Sequence, residues 1–200
     1  MKKLVSLLPA LLALFGLLAA SGCSPFGRSP RPDFYVLSSP AENAVAPGHE
    51  AVAGPRVAIG PVTIPAYLDR PQIFLRDDNQ VKVHLEEFNQ WSEPFGDGVT
   101  RVLCEAVSAS LAPRKGLAFP MRSPQQAQWR IAVDIARFDG APNGDVVLDA
   151  GWSLVNGLGE ELRSGRFVQR APAGPDITSL VQAHSALLAQ FGAVLGKIVP

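Results

Sequence analysis

Apolar residues along this chain change their spacing from every second position to every third or fourth, and they do so twice. Each set begins with runs that have the two-residue period of a β-strand and ends in a stretch with the 3.6-residue period of an amphipathic helix. Neighbouring strands with no helix between them favour antiparallel pairing, because parallel pairs need a crossover. The pattern therefore predicts an α+β fold with antiparallel sheets and two packed amphipathic helices, strands then helix twice over.

The first set of strands is broken by prolines and by one polar turn. The predicted strands lie at residues 33–37, 56–59, 61–65, 73–75 and 81–85. The last two flank the polar residues 77–80 and predict a hairpin. On its second strand, alternation places Val81, Val83 and Leu85 on one face, which we expect to be buried.

The second set of strands predicts an antiparallel meander at 129–136, 146–154 and 162–168, with Asn156-Gly157 as a turn signal. The helix that closes the first set begins near Phe95, with Ser92 as the expected N-cap, and Pro113 ends it. The last helix is predicted from Ile177 to Ile198 with Asp176 as its N-cap.

The N-terminal segment is typical of a lipoprotein signal. Lys2 and Lys3 precede an apolar run, and the run ends in the lipobox-like Ala20-Ser21-Gly22-Cys23. We expect residues 1–22 to be cleaved, Cys23 to be lipidated, residues 23–32 to form a tether and residues 33–200 to form a single periplasmic α+β domain. An ordinary signal peptide with a chance cysteine is the alternative. Ser24 after the cysteine implies, by resemblance to Gram-negative sorting, the periplasmic face of the outer membrane.

Composition excludes several classes of function. The chain has 18 Lys+Arg and 18 Asp+Glu, so it lacks the positive charge of a nucleic-acid-binding protein. Its three His and two Cys have no metal-ligand spacing, and we predict no metal and no cofactor. Cys104 is best explained as a small buried hydrophobe.

No set of residues predicts catalysis. Gly157-Leu158-Gly159 lies between two predicted strands, so a turn explains it better than a dinucleotide fingerprint. His184 falls on the apolar face of the last helix, where a core or interface histidine is favoured over a general base. We therefore predict no catalytic residues.

Two segments resemble the family of ABC-type transport auxiliary lipoproteins. They are Tyr67-Leu68-Asp69-Arg70-Pro71-Gln72-Ile73 and Phe88-Asn89-Gln90-Trp91-Ser92-Glu93-Pro94-Phe95, the latter before an amphipathic helix. The start Phe34-Tyr35-Val36-Leu37 also fits. The resemblance implies a non-enzymatic outer-membrane partner of an MCE-domain transport protein that spans the periplasm and moves lipids. By analogy it also implies a homo-oligomer that forms a ring around a transport tube.

A partner-binding surface is expected where these two motifs meet. The candidate residues are Tyr67, Asp69, Arg70, Gln72, Trp91 and Glu93. Loops often carry function, and Tyr, Trp and Arg are enriched at interface hot spots. The alternative is structural: Tyr67 and Trp91 plug the edge of the core, and Arg70 pairs with Asp69 or Glu93.

Two other functions remain open from the sequence. A tethered carrier of a lipid or small hydrophobic molecule would need an apolar pocket. A tethered hydrolase would need convergent polar groups with shifted pKa values in a cleft.

The lipoprotein interpretation predicts that Cys23→Ala stops membrane anchoring, because acyl chains are the only device expected to hold the mature protein on a bilayer. Membrane fractionation measures this. A Cys23→Ala protein that still fractionates with the outer membrane would contradict the interpretation, and Cys104→Ala is the matched control that should remain anchored.

Overall fold

A computed structural model describes residues 30–39, 53–76, 81–121 and 127–200. The chain divides into two units, Met1–Arg31 and Pro32–Pro200, and the described strands and helices all lie in the second. The predicted signal peptide, Cys23, tether residues 24–29 and the hairpin turn at 77–80 lie outside the described residues.

Eight strands and two α-helices make up the described fold. The strands are β1 (Asp33–Tyr35), β2 (Arg56–Thr63), β3 (Gln72–Arg76), β4 (Val83–Trp91), β5 (Leu117–Pro120), β6 (Trp129–Asp139), β7 (Asp145–Asn156) and β8 (Glu161–Pro172). The helices are α1 (Phe95–Leu111), which continues into a short 3₁₀ helix at Ala112–Arg114, and α2 (Ile177–Ile198).

The strands form two sheets, and the α+β class is confirmed. One sheet has five strands in the order β5-β2-β6-β7-β8, and the other has three in the order β1-β4-β3. The meander β6-β7-β8 is antiparallel, as predicted. The sheets are nevertheless mixed, since β1 pairs in parallel with β4, and β2 pairs in parallel with both β5 and β6. Helix α1 lies between β2 and β5 along the chain and supplies the crossover that parallel pairing needs.

The predicted hairpin forms, because β3 and β4 pair antiparallel, but its predicted buried face is wrong. Val81, Val83 and Leu85 are all exposed, Val81 to 85%. Ile73 of β3 is in the core, and its partner across the ladder is Glu86 rather than one of these apolar residues. The ladder then shifts its register between Gln72 and Ile73, so simple alternation along the sequence does not determine which face of β4 is covered.

The N-terminal cap of α2 is as predicted, and that of α1 is not. The Asp176 carboxylate accepts a hydrogen bond from the Ser179 backbone N–H at 2.7 Å, and the Ser179 hydroxyl completes a capping box. Helix α1 instead begins after Pro94, and no side chain caps it. Ser92 is therefore not the N-cap. Proline tolerates this position because it has no N–H that would need a partner.

Helices α1 and α2 pack against each other through small residues. A Cβ added to Gly192 would overlap the Cβ of Ala106, and one added to Gly196 would overlap Ser110. The two glycines lie four residues apart on one face of α2, so they let the helix backbones approach closely. Larger residues then seal the core, where the rings of Phe167 on β8 and Phe191 on α2 stack with centroids 4.7 Å apart.

The end of α2 is held by Arg114 of the 3₁₀ helix. Its guanidinium donates hydrogen bonds to the carbonyl oxygens of Gly196 and Val199, both at 3.0 Å. A cation at a helix C-terminus also interacts favourably with the helix dipole. The contact fastens the last turn of α2 to the end of α1.

The close contact between the helices predicts that Gly192→Ala destabilises the domain by about 1–3 kcal/mol, because the new methyl group overpacks against Ala106. Chemical denaturation measures the change. Replacing a glycine by alanine inside a helix normally stabilises a protein by roughly 0.5–1 kcal/mol. The sign of the change in the free energy of unfolding is therefore diagnostic by itself.

Gly96→Ala is the matched control, because its new Cβ would lie at an ordinary 3.5 Å from Ile64 Cδ1 and should cost nothing. The double variant Gly192→Ala, Ala106→Gly should recover part of the loss. A Gly192→Ala protein as stable as wild type would show that the helices do not depend on this contact.

Candidate functional site

The two sequence motifs meet around one surface cavity of about 400 Å³. One wall comes from the loop between β2 and β3, and the other from the end of β4 and the turn into α1. The lining residues are Asp69, Arg70, Pro71, Trp91, Ser92, Glu93 and Pro94. Four of the six predicted partner-binding residues therefore lie at one place.

Backbone hydrogen bonds hold the loop in a fixed shape. The Leu68 side chain is buried, and its N–H donates to the Pro65 carbonyl oxygen at 2.9 Å. The Arg70 N–H donates to the Leu68 carbonyl oxygen at 2.9 Å, and the Trp91 N–H donates to that of Pro71 at 2.7 Å. These bonds place Asp69 and Arg70 at the apex of a loop whose base is fastened to both the core and β4.

Asp69 and Arg70 both have exposed side chains. Within the described part of the chain, neither makes an ion pair or a side-chain hydrogen bond, and Arg70 pairs with neither Asp69 nor Glu93. The structural alternative for Arg70 is therefore wrong. Two opposite charges side by side on a rigid loop are available for directed bonds to another molecule.

Glu93 lines the cavity but serves the fold as well. Its Oε1 accepts a hydrogen bond from the Arg101 guanidinium at 2.7 Å, and Arg101 also donates to the Leu37 carbonyl oxygen at 2.7 Å. Glu105 is a further partner of Arg101 at 3.3 Å. The hydrogen bond that Arg101 donates to Glu93 raises the pKa of Arg101 above its ordinary value. Sequence analysis missed Arg101, although its four-residue spacing from Glu105 is typical of an ion pair on a helix.

Trp91 belongs mainly to the core. Its side chain is 8% exposed, and its ring lies 4.9 Å from that of Phe95 and, edge-on, 6.1 Å from that of His184. The tryptophan therefore forms the floor of the cavity and joins it to α2.

Tyr67 and Gln72 are not among the residues that line the cavity. The Tyr67 hydroxyl donates to Asp139 Oδ2 at 3.2 Å, and the fully buried Asp139 also accepts from Nε of Arg76 and of Arg137, both at 2.8 Å. Burial, followed by the Asp139 charge, raises the pKa of Tyr67 above its ordinary value. This cluster joins the two sheets, and nothing local in the sequence marks Asp139 as its centre. Gln72 pairs with Gln90 in the β3–β4 ladder.

The buried titratable groups are not placed for surface chemistry. His184 is 2% exposed; its Nδ1–H donates to the Leu180 carbonyl oxygen at 2.8 Å, and its ring lies 4.7 Å from that of Phe138. Burial lowers the pKa of His184 to about 4, so the imidazole is neutral at pH 7. Burial likewise raises the pKa of the Cys104 thiol to about 12.

The described residues contain no group of three or more His, Cys, Asp or Glu side chains that could hold a metal ion. None of the helices they form combines the length and apolar character needed to cross a bilayer.

Comparison with known families gives one match. Residues 35–195 match the family described as ABC-type transport auxiliary lipoprotein component. Both motifs around the cavity lie inside this range. The sequence has no match among curated proteins.

Solved structures that match this chain share little sequence with it. An uncharacterized protein is 16% identical with a TM-score of 0.68, and the match covers 84% of this chain and 98% of that one. A Xanthomonas campestris protein of the DUF330 family is 16% identical with a TM-score of 0.56, covering 83% and 91%. The PelC dodecamer from Paraburkholderia phytofirmans is 13% identical with a TM-score of 0.42, covering 76% and 94%.

The depressed pKa of His184 predicts that the domain loses stability in acid. The unfolded chain takes up a proton near pH 6.5, whereas the folded domain resists protonation down to about pH 4. Stability should therefore fall by about 3 kcal/mol as the pH drops through this window. Denaturation of wild type and His184→Gln at several pH values isolates this contribution, because the carboxylates are common to both. Parallel stability profiles for the two proteins would contradict the assignment.

Proposed function

The chain belongs to the ABC-type transport auxiliary lipoprotein component family, and from this membership we propose that it is a non-enzymatic docking subunit of an MCE-type intermembrane lipid transport system. In this proposal Cys23 carries the lipid anchor, and the domain faces the periplasm from the outer membrane. The partner is the MCE-domain protein that spans the periplasm. Several copies surround it as a homo-oligomer.

The observation that carries the docking role is the pair of unengaged charges at the cavity. Asp69 and Arg70 lie on a loop whose backbone is held by three hydrogen bonds, so little conformational entropy is lost when they bind. The rest of the cavity wall is supplied by two prolines, Ser92, Glu93 and the edge of Trp91. Mixed apolar and polar surface of this kind is typical of protein interfaces.

A carrier of hydrophobic molecules is the alternative function, and the cavity argues against it. Sites for apolar ligands enclose most of the ligand's surface. This cavity lies at the surface and carries Asp69, Arg70 and Glu93. Placing an acyl chain there would remove water from Asp69 and Arg70 without giving either charge a partner, which is costly.

The docking role predicts that Arg70→Ala weakens binding to the MCE-domain partner while the free energy of unfolding changes by less than about 1 kcal/mol, since the side chain is exposed. Affinity capture from cross-linked membranes measures binding, and thermal denaturation measures stability. Arg163→Ala is the matched control, because it removes an exposed arginine from β8 in the other sheet.

Three results would overturn this assignment. An Arg70→Ala protein that melts much earlier would make Arg70 structural. One that captures the partner as well as wild type would remove the cavity from the docking surface. Failure of the wild-type protein to capture any MCE-domain protein would refute the partnership itself.

A further inference from the structure

The three-stranded sheet exposes a group of large apolar side chains on β4, on β1 and directly after β1. Phe34 is 62% exposed, Val36 48% and Phe88 42%. Val83 and Leu85 are exposed to a similar degree. Single exposed apolar residues are common on proteins, but a contiguous group of them marks an interaction surface. We call these five residues the apolar sheet face.

The alternation of burial along β1 shows which side of the sheet they occupy. Tyr35 is half-buried and packs against the core, and Leu37 is buried within it. Phe34 lies directly before Tyr35, and Val36 lies between Tyr35 and Leu37. Because successive residues of an extended chain point to opposite faces, Phe34 and Val36 point away from the core.

Hydrogen bonds place Leu85 and Phe88 of β4 on this same outer side. The Asn89 amide donates to Glu86 Oε2 at 2.9 Å, and Asn89 Oδ1 accepts from the Tyr35 hydroxyl at 3.0 Å. Glu86 and Asn89 therefore share the inner side with Tyr35. Leu85 directly precedes Glu86, and Phe88 directly precedes Asn89, so both occupy the other side.

The place where the chain enters this sheet identifies what can cover the face. Asp33 opens β1, and only residues 24–32 separate it from Cys23. Nine residues span about 30 Å at full extension, so an acylated Cys23 keeps β1 near the bilayer at all times. Such tethering gives the sheet a high effective concentration at the lipid surface, where even weak apolar contacts become occupied.

The charges nearby do not oppose contact with lipid. Arg28 and Arg31 in the tether favour anionic headgroups. Lys82 and Glu87 at the margin of the face have opposite signs and both side chains are exposed. None of the five side chains is charged, and Arg76, the partner of Val83 across the ladder, is bound to Asp139.

We propose that the apolar sheet face, Phe34, Val36, Val83, Leu85 and Phe88, lies on the lipid surface of the membrane that holds the anchor. This inference rests on the proposed lipidation of Cys23. Phenyl and aliphatic side chains enter the boundary between headgroups and acyl chains, about 5–10 Å deep. The domain thereby acquires a fixed orientation on the bilayer.

Lipid contact can be measured with a single fluorescent probe on the lipidated protein. Val36→Cys is labelled with an environment-sensitive maleimide and reconstituted into vesicles of phosphatidylethanolamine and phosphatidylglycerol containing nitroxide-bearing lipid. Cys104 stays unlabelled, because its thiol is buried. Arg163→Cys on β8 is the matched control. We expect the probe at residue 36 to be quenched at least roughly twofold more than the control, as insertion into the headgroup region requires.

A second variant tests whether the face itself makes the contact. Phe34→Gln together with Phe88→Gln in the Val36→Cys protein should reduce quenching to the control level. Since both side chains are exposed, the melting temperature should stay near that of the parent.

The outcomes distinguish this inference from the anchor on which it rests. Loss of vesicle flotation would refute the anchor. If the protein floats with the vesicles but the probe at residue 36 is quenched no more than the control, the lipid contact is overturned. The probe could instead be insensitive to nitroxide lipid and become shielded in detergent as the protein concentration rises. That result would assign the apolar sheet face to contact with a second copy of the chain, and it would also overturn the lipid contact.

Discussion

Gly192 and Gly196 let α2 approach α1 until any side chain larger than hydrogen would overlap Ala106 or Ser110. This contact determines how the two helices cover the inner face of the five-stranded sheet. It also places His184 of α2 against both Trp91 and Phe138. The floor of the cavity is therefore supported by a helix that lies more than eighty residues further along the chain.

Features of the fold that depend on neighbouring residues are predictable from the sequence. The N-cap at Asp176, the helical period and the meander turn at Asn156 are all local signals, and each is found where expected. Parallel pairing of β2 with β5 and β6 is not local, because it depends on where α1 carries the chain. The sequence also does not reveal which face of β4 is exposed, because the register of the β3–β4 ladder changes beside Ile73.

In the candidate site, too, local features are predictable from the sequence and long-range contacts are not. The two motifs correctly predict that Asp69, Arg70, Trp91 and Glu93 come together. They cannot show that Glu93 is bound by Arg101, or that Tyr67 turns away to Asp139, since these partners are chosen by the folded chain. Tyr67 and Arg70 have similar interface propensity in the sequence, yet one is engaged within the fold and the other is available.

Arg101 joins the start of the domain to the cavity wall, because the same guanidinium binds the Leu37 carbonyl and Glu93. Just before Leu37, β1 runs parallel to β4, and β4 leads into the turn that carries Glu93. A force on the N-terminal end of β1, directed along the strand, would therefore load the β1–β4 hydrogen bonds in shear, all at once rather than one by one. Arg101 adds a charged clamp behind them, so this pair of strands would resist mechanical extension from its N-terminal end.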